Sequence, residues 1–132
     1  TELHDLGKRL GLKDAIRWVG GRPSAPFMPL FSVAVLSSRW EGLPLVLLEY
    51  MARSLPIVTT DAEGCLDAVG EKEARIVPRD DPRSMADAIL ALLGDPGSAR
   101  RLGESARSRF DGTFDIATMT RRFESLYGEV LR

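Results

Sequence analysis

Two glutamates, Glu41 and Glu49, offer chemistry that can be read directly from the chain. Both lie in Ser37-Ser38-Arg39-Trp40-Glu41-Gly42-Leu43-Pro44-Leu45-Val46-Leu47-Leu48-Glu49-Tyr50-Met51-Ala52, a polar loop that turns into an apolar helix. Pro44 fits the first helical turn, which leaves the backbone N–H groups of Gly42 to Leu45 as free donors. With the helix dipole they suit a phosphate or another anion, and Gly42 lets it approach the backbone closely. Arg39 either reaches that anion or sits on the surface, and Trp40 reads as packing. From Leu43 to Ala52, Glu49 is the only charged residue. It shares a helical stripe with Leu45, Leu48 and Ala52, which predicts that it faces inward. A buried carboxylate needs partners. The vicinal hydroxyls of a sugar are one such partner, as at the ribose in dinucleotide folds; an arginine such as Arg17 or Arg75 is the other. Ser38-Arg39-Trp40-Glu41 also matches a helix capping box. A box there would force Gly42 and Pro44 into the first helical turns, so Glu41 is assigned to the loop, beside the ligand.

These residues need a scaffold, and the flanking periodicity supplies one. Leu3, Leu6 and Leu10 predict an amphipathic helix stopped by Gly11. Ala15 to Val19 reads as a short strand ending in a Gly20-Gly21 turn. Pro23, Pro26 and Pro29 exclude a helix longer than one turn between Arg22 and Leu30. Val33 to Leu36, Pro56 to Thr60 and Arg75 to Val77 read as strands, with Leu43 to Arg53 helical between the first two. Asp81-Pro82 and Asp95-Pro96 each open a helix. Met85, Ile89 and Leu92 form the buried stripe of the first, ended by Gly94, and Ala99, Leu102, Ala106 and Phe110 that of the second. Ile116, Met119, Phe123, Leu126, Tyr127 and Val130 define a third. The fold class is α/β: a Rossmann-like parallel sheet flanked by helices, ending in three helices. The loop from Ser37 to Pro44 then lies at the carboxyl edge of the sheet, where open α/β folds bind ligands.

Composition removes several classes of function. The 132 residues suit one domain, with 44% apolar and 28% charged residues, so disorder is excluded. Eighteen basic residues nearly cancel nineteen acidic ones, leaving no net field for nucleic acid. The arginines of the last helices are interleaved with acids and read as a solvated surface. No apolar run approaches the ~20 residues needed to span a bilayer, and no signal peptide is visible, so the expected location is cytoplasmic. Cys65 is the single cysteine and His4 the single histidine, so no disulfide, metal cluster or Ser/His/Asp set is expected. The chain opens on Thr1, within what reads as the end of a helix, as a fragment would.

Glu41 and Glu49, with seven residues between them, match the E-x7-E signature of GT-B retaining glycosyltransferases, in particular family 4. Ser38 to Pro44 and Leu48-Glu49 resemble that family's donor-binding loop and helix. The resemblance continues through Pro56-Ile57-Val58-Thr59-Thr60-Asp61, Ile76-Val77-Pro78 and the closing helix with Phe123, Leu126 and Tyr127, and back through Val19-Gly20. It implies the C-terminal, nucleotide-sugar-binding domain of a GT-B fold over residues 1–132. It also implies sugar transfer with retention from a UDP-, GDP- or ADP-sugar, without metal or other cofactor, in cell-envelope glycan synthesis. By the same resemblance Glu41 lies near the donor sugar and diphosphate and is the catalytic candidate. Glu49 accepts hydrogen bonds from the ribose hydroxyls. Backbone amides around Gly42, Leu43 and Leu45 hold the diphosphate and sugar, with Arg39 and Gly64 beside them, and Gly20-Gly21-Arg22 lies against the base.

The departures are specific. The family often has a glycine pair and a glutamate after the strand ending at Asp61; here the residues are Glu63-Gly64-Cys65-Leu66-Asp67. Gly64 keeps the tight approach, Asp67 stands in the glutamate's place, and Glu63 adds negative charge near the diphosphate unless it turns outward. The family's basic pair and its N-terminal domain, which binds a glycan or lipid-linked acceptor and makes any peripheral membrane contact, would lie upstream of residue 1. Two strands between the Ala15 and Val33 strands would also be missing, so the isolated chain is expected either to pair its exposed strands abnormally or to be marginally stable, and to be inactive alone. The alternative is a non-catalytic nucleotide- or partner-binding α/β module, a degenerate relic of the family.

Overall fold

A computed structural model describes residues 2–131; Thr1 and Arg132, the ends of the expected domain, lie outside them. Three strands, β1 (Ala34–Leu36), β2 (Ile57–Thr60) and β3 (Arg75–Val77), form one parallel sheet in that order. Val35 faces Val58, and Thr59 faces Ile76. The central strand is buried on both faces, which accounts for its unbroken apolar and β-branched run. Ile57 joins the core made by Leu47, Tyr50 and Met51 of α2 (Leu45–Ala52) and by Cys65 and Ala68 of α3 (Glu63–Ala68). Val58 joins a second core with Leu92 of α4 (Pro82–Gly94) and Leu102 of α5 (Pro96–Thr113).

The first two closing helices begin where Asp81-Pro82 and Asp95-Pro96 predict, and the third is capped in the same way by Asp115. Asp81 accepts from the backbone N of Ser84, Asp95 from that of Ser98, and Asp115 from those of Ala117 and Thr118 ahead of α6 (Ile116–Val130). Each cap satisfies donors that the first turn would otherwise leave unpaired. Gly103 of α5 lies so close to the end of α2 that a Cβ there would stand 2.1 Å from the Ser54 carbonyl oxygen. Between α1 (Glu2–Arg9) and β1, a 3-10 turn at Met28–Leu30 is the only helix that the prolines allow.

Three expectations need correction, and one helix was not foreseen. Ala15 to Val19 is not a strand. It has no ladder to join among the described residues, and Ile16 and Trp18 instead pack on Gly7 of α1, with the Trp18 ring 4.2 Å from that of His4. The apolar stripe of α1 is uncovered, with Leu3 and Leu10 more than half exposed, although Gly11 ends the helix at φ +69° as expected. The stripe of α6 is likewise exposed from Ile116 to Val130, and no described residue of that helix is buried. Finally, Glu63 to Ala68 forms α3, a helix too short to leave a period in the sequence.

Candidate functional site

The loop between β1 and α2 leaves the sheet at its carboxyl edge and is held from two sides. Thr60, at the end of β2, donates its hydroxyl to the backbone carbonyl of Ser38. The Ser38 hydroxyl donates to Glu41 Oε1 at 2.6 Å. Neither Ser38 nor Glu41 is helical, so the S-x-x-E spacing here is a loop contact and not a capping box. From the other side, α3 presses its first turn against the loop. A Cβ on Gly64 would stand 1.7 Å from the Gly42 carbonyl oxygen and 2.6 Å from that of Glu41. The close approach that Gly64 permits is thus to the loop backbone. At Gly42 a Cβ would meet no described atom within 4 Å, so space beside that residue is open.

Cys65 sits under the same loop, fully buried. Burial pushes its thiol up, a hydrogen bond with the Thr59 hydroxyl works in the opposite sense, and the Glu41 carboxylate adds to the rise. That coupling puts the Glu41 charge near the start of α3. Glu63, in the first turn of that helix, is exposed, and Asp67 is exposed on its last turn.

Helix α2 begins two residues later than expected, at Leu45 in place of Leu43. Pro44 has φ −72° and ψ 108°, extended rather than helical, and serves as the cap residue before Leu45. No side chain among the described residues caps the helix; the Leu47 N–H donates to the Pro44 carbonyl at 3.0 Å, and Leu45 is 71% exposed. Leu47, Tyr50 and Met51 form the buried stripe. Glu49 therefore lies on the flank of α2, half-buried, and not on the core side as its spacing suggested. Apart from Glu49 the helix is apolar on every side, so periodicity could not tell which face is covered.

The partner of Glu49 is neither Arg17 nor Arg75. Ser24 donates its hydroxyl to Glu49 Oε2 at 2.9 Å, while Arg75 reaches Ser98 on α5. Ser24 follows closely on the Gly20-Gly21 turn, where Gly20 takes φ +71° and its carbonyl accepts from the Arg22 N–H. The segment after the turn thus runs beside α2. No hydrogen bond joins Gly20 or Gly21 to the Glu41 loop among the described residues.

Arg39 is engaged. Its Nε lies 2.7 Å from Asp80 Oδ1, while Arg79 pairs with Asp61 at 3.0 Å and also donates to the Arg39 carbonyl at 3.3 Å. These contacts tie together the loops after all three strands. Arg39 and Asp80 are both largely exposed, so the pair itself contributes little to stability. Asp80 adopts φ +58°, a conformation uncommon outside glycine. Arg39 also borders a cleft of about 710 Å³ with Leu6, Thr60, Pro78, Met85 and Ile89. None of Glu41, Gly42, Leu43, Leu45, Glu49 and Gly64 lines that cleft. Trp40 is 83% exposed, so it does not pack into the core as expected.

The structure therefore brings Glu41, Gly42 and Gly64 together and sets Glu49 against Ser24. Ser24, Ser38 and Thr60 were missed from the sequence. The S-x-x-E spacing was the one available signal for Ser38. No helix of the described residues is long and apolar enough to cross a membrane.

Comparison with known proteins places the chain in a family. Residues 1–109 match the family described as glycosyl transferases group 1. The chain is 29% identical to the lipopolysaccharide core biosynthesis mannosyltransferase LpsB of Rhizobium meliloti, covering 100% of this chain and 39% of that protein. It is 32% identical to glycogen synthase of Mycobacterium tuberculosis, over 95% of this chain and 31% of that one. Among solved structures, sucrose-phosphate synthase from Thermosynechococcus elongatus superimposes with a TM-score of 0.89 at 27% identity, over 98% of this chain and 34% of that one. Anabaena Alr3699/HepE in complex with UDP superimposes at 0.91 with 21% identity, over 97% and 36% respectively, which supports the fold. The chain thus spans about a third of the length of these relatives. The fold is that of GT-B glycosyltransferases, and the chain belongs to the glycosyl transferases group 1 family.

Proposed function

We propose that this chain is the donor-binding region of a retaining glycosyltransferase that takes a sugar from a UDP-, GDP- or ADP-sugar, in cell-envelope glycan synthesis. The observation that carries the reading is the pair of carboxylates at the carboxyl edge of the parallel sheet. Glu41 stands in a loop pinned to β2 and α3, and Glu49 stands half-buried on the flank of α2, hydrogen-bonded to Ser24. A serine hydroxyl satisfies only part of a carboxylate's accepting capacity, so Glu49 retains lone pairs for the vicinal hydroxyls of a ribose. The uncapped start of α2 supplies N–H donors and a positive dipole end for the diphosphate, beside the open space at Gly42. Glu63, on the first turn of α3, is exposed, so its charge is hydrated and screened beside that anion.

In this reading Glu41 faces the donor sugar as the C1–O bond to the diphosphate lengthens. Positive charge then develops on the sugar ring and negative charge on the leaving diphosphate. The backbone donors around Gly42, Leu43 and Leu45 stabilise the leaving group without a moving side chain. Further positive charge and the acceptor, a glycan or lipid-linked glycan, come from outside this segment. A cell-envelope role has the support of a relative named for lipopolysaccharide core biosynthesis and another named for capsular polysaccharide biosynthesis.

The test is Glu49→Gln in the full-length gene product, with UDP, GDP and ADP titrated calorimetrically. The nucleotide that binds the unaltered protein should bind the variant roughly ten- to a hundredfold more weakly, the loss expected for hydrogen bonds to a charged group. Unchanged affinity, with the fold retained, would remove Glu49 from the donor site and the reading with it.

A further inference from the structure

The geometry points to Ser38 and Thr60 as positioning residues that hold Glu41 for the reaction, a role that rests on the donor-site reading and adds to it. Three observations support it. The Ser38 hydroxyl donates to Glu41 Oε1 at 2.6 Å, a short, charge-assisted bond to the one carboxylate of the loop. The backbone carbonyl of Ser38 accepts from the Thr60 hydroxyl, and Thr60 is nearly fully buried at the end of the central strand. The Glu41 and Gly42 carbonyls lie against the Gly64 backbone of α3, which closes the loop from behind.

These contacts form one chain from the rigid centre of the sheet to a single carboxylate. Pairing with Val77 of β3 sets the Thr60 backbone, and near-complete burial with the stiff β-branched side chain restricts where its hydroxyl can lie. Ser38 passes that position on through two different atoms, accepting with its carbonyl and donating with its hydroxyl. Glu41 has three side-chain torsions of its own, and a loop glutamate without such a donor would sample many rotamers. Holding Oε1 by hydrogen bond leaves Oε2 as the atom free to face a sugar. Positioning of this kind matters most in the transition state, where a displacement of about 1 Å can cost on the order of a hundredfold in rate.

Removing the Ser38 hydroxyl should therefore lower turnover without loosening the nucleotide site. Ser38→Ala keeps the backbone carbonyl and with it the Thr60 bond, so the path of the loop is preserved. The assay is hydrolysis of UDP-glucose, GDP-mannose or ADP-glucose by the full-length gene product. In that reaction the C1–O bond to the diphosphate breaks and the nucleoside diphosphate leaves with the electron pair. Water oxygen bonds to C1, and the water proton is released to solvent. Ser38→Ala should cut kcat roughly ten- to a hundredfold with KM within about threefold, and Ser38→Thr, which retains a hydroxyl, should recover most of the loss. In a Glu41→Gln background Ser38→Ala should cost nothing further, because a residue that acts through Glu41 has no other route to the reaction. Thr60→Val should give a smaller loss of the same kind.

Three results overturn the inference. One is a full Ser38→Ala loss on top of Glu41→Gln. Another is a KM that rises as much as kcat falls, the mark of a loosened loop. The third is no recovery with Ser38→Thr. Failure of the donor reading is seen separately: none of UDP, GDP and ADP binds, or Glu49→Gln leaves their affinity unchanged.

Discussion

Gly64→Ala offers the most direct probe of how the candidate site is built. The added Cβ would stand 1.7 Å from the Gly42 carbonyl oxygen, whereas real Cβ atoms keep beyond 3.0 Å, so α3 and the loop must part by at least about 1.3 Å. Backbone lies on both sides of the contact, and no side chain can rotate away. Two effects compete. Alanine gains about 1 kcal/mol over glycine in helix propensity, while overpacking typically costs ~1–3 kcal/mol, with rigid backbone at the upper end. The clash wins, by about 2 kcal/mol net, or roughly 6–8 °C in the unfolding midpoint of a domain of this size. Because the loop that moves carries Glu41 and Gly42, donor turnover should fall further than stability implies, by on the order of a hundredfold. Gly103→Ala is the matched control. Its Cβ would stand 2.1 Å from the Ser54 carbonyl oxygen, where α5 crosses the end of α2, outside the loop from Ser38 to Gly42. It should lower the midpoint by a similar amount and leave turnover, measured well below that midpoint, within a few-fold of the unaltered protein. Scanning calorimetry with donor hydrolysis on both variants decides the matter. A Gly64→Ala protein with unaltered midpoint and turnover would refute the packing argument. Equal loss of turnover in both variants, at matched stability, would refute its link to the site.

Other expectations follow from single contacts. Asp81 is held below the usual carboxylate range by hydrogen bonds from the Ser84 side chain and then its backbone N–H, and Asp115 chiefly by Thr118. A carboxyl lowered in the folded state stabilises above its unfolded value of about 3.9 and loses that contribution as pH falls through the lower folded value. Asp81→Asn and Asp115→Asn should therefore lower the unfolding midpoint at pH 7, and the difference from the unaltered protein should shrink as pH falls below about 4; a pH-independent difference would contradict this. Cys65 is buried with its thiol pushed up, so a thiol reagent at pH 8 should label it only as fast as the domain opens. Labelling at the rate of a free thiol without denaturant would show that the core around α3 is not packed as described. Asp61→Asn keeps an acceptor oxygen but removes the negative charge of the Arg79 pair between two exposed groups, and should shift the midpoint by less than what about 1 kcal/mol produces; a loss several times larger would show that the link between the strand-end loops bears on folding.

The chain by itself determined the elements that local chemistry decides. Asp81-Pro82 and Asp95-Pro96 mark helix starts because an acidic side chain must meet the orphan N–H groups of its own first turn, a contact within three residues. The run Pro56 to Thr60 reads as a strand from its apolar and β-branched composition, and burial of Ile57 to Thr60 on both faces is the reason for it. Gly42 and Pro44 placed Glu41 in a loop, and the apolar run from Leu43 to Ala52 placed Glu49 on a helix. Tertiary structure decided everything that depends on a distant partner. Ala15 to Val19 has the composition of a strand, but a strand exists only as part of a ladder, and this segment lies on α1 instead. The side of α2 that carries Glu49 could not be read, because an apolar helix has no contrast between its faces until the sheet covers one of them. The partners that matter come from far along the chain: Ser24 for Glu49, Asp80 for Arg39, and Thr60 for the loop that holds Glu41. Such contacts span more than twenty residues, and only the folding of the chain onto the parallel sheet brings them within hydrogen-bond reach.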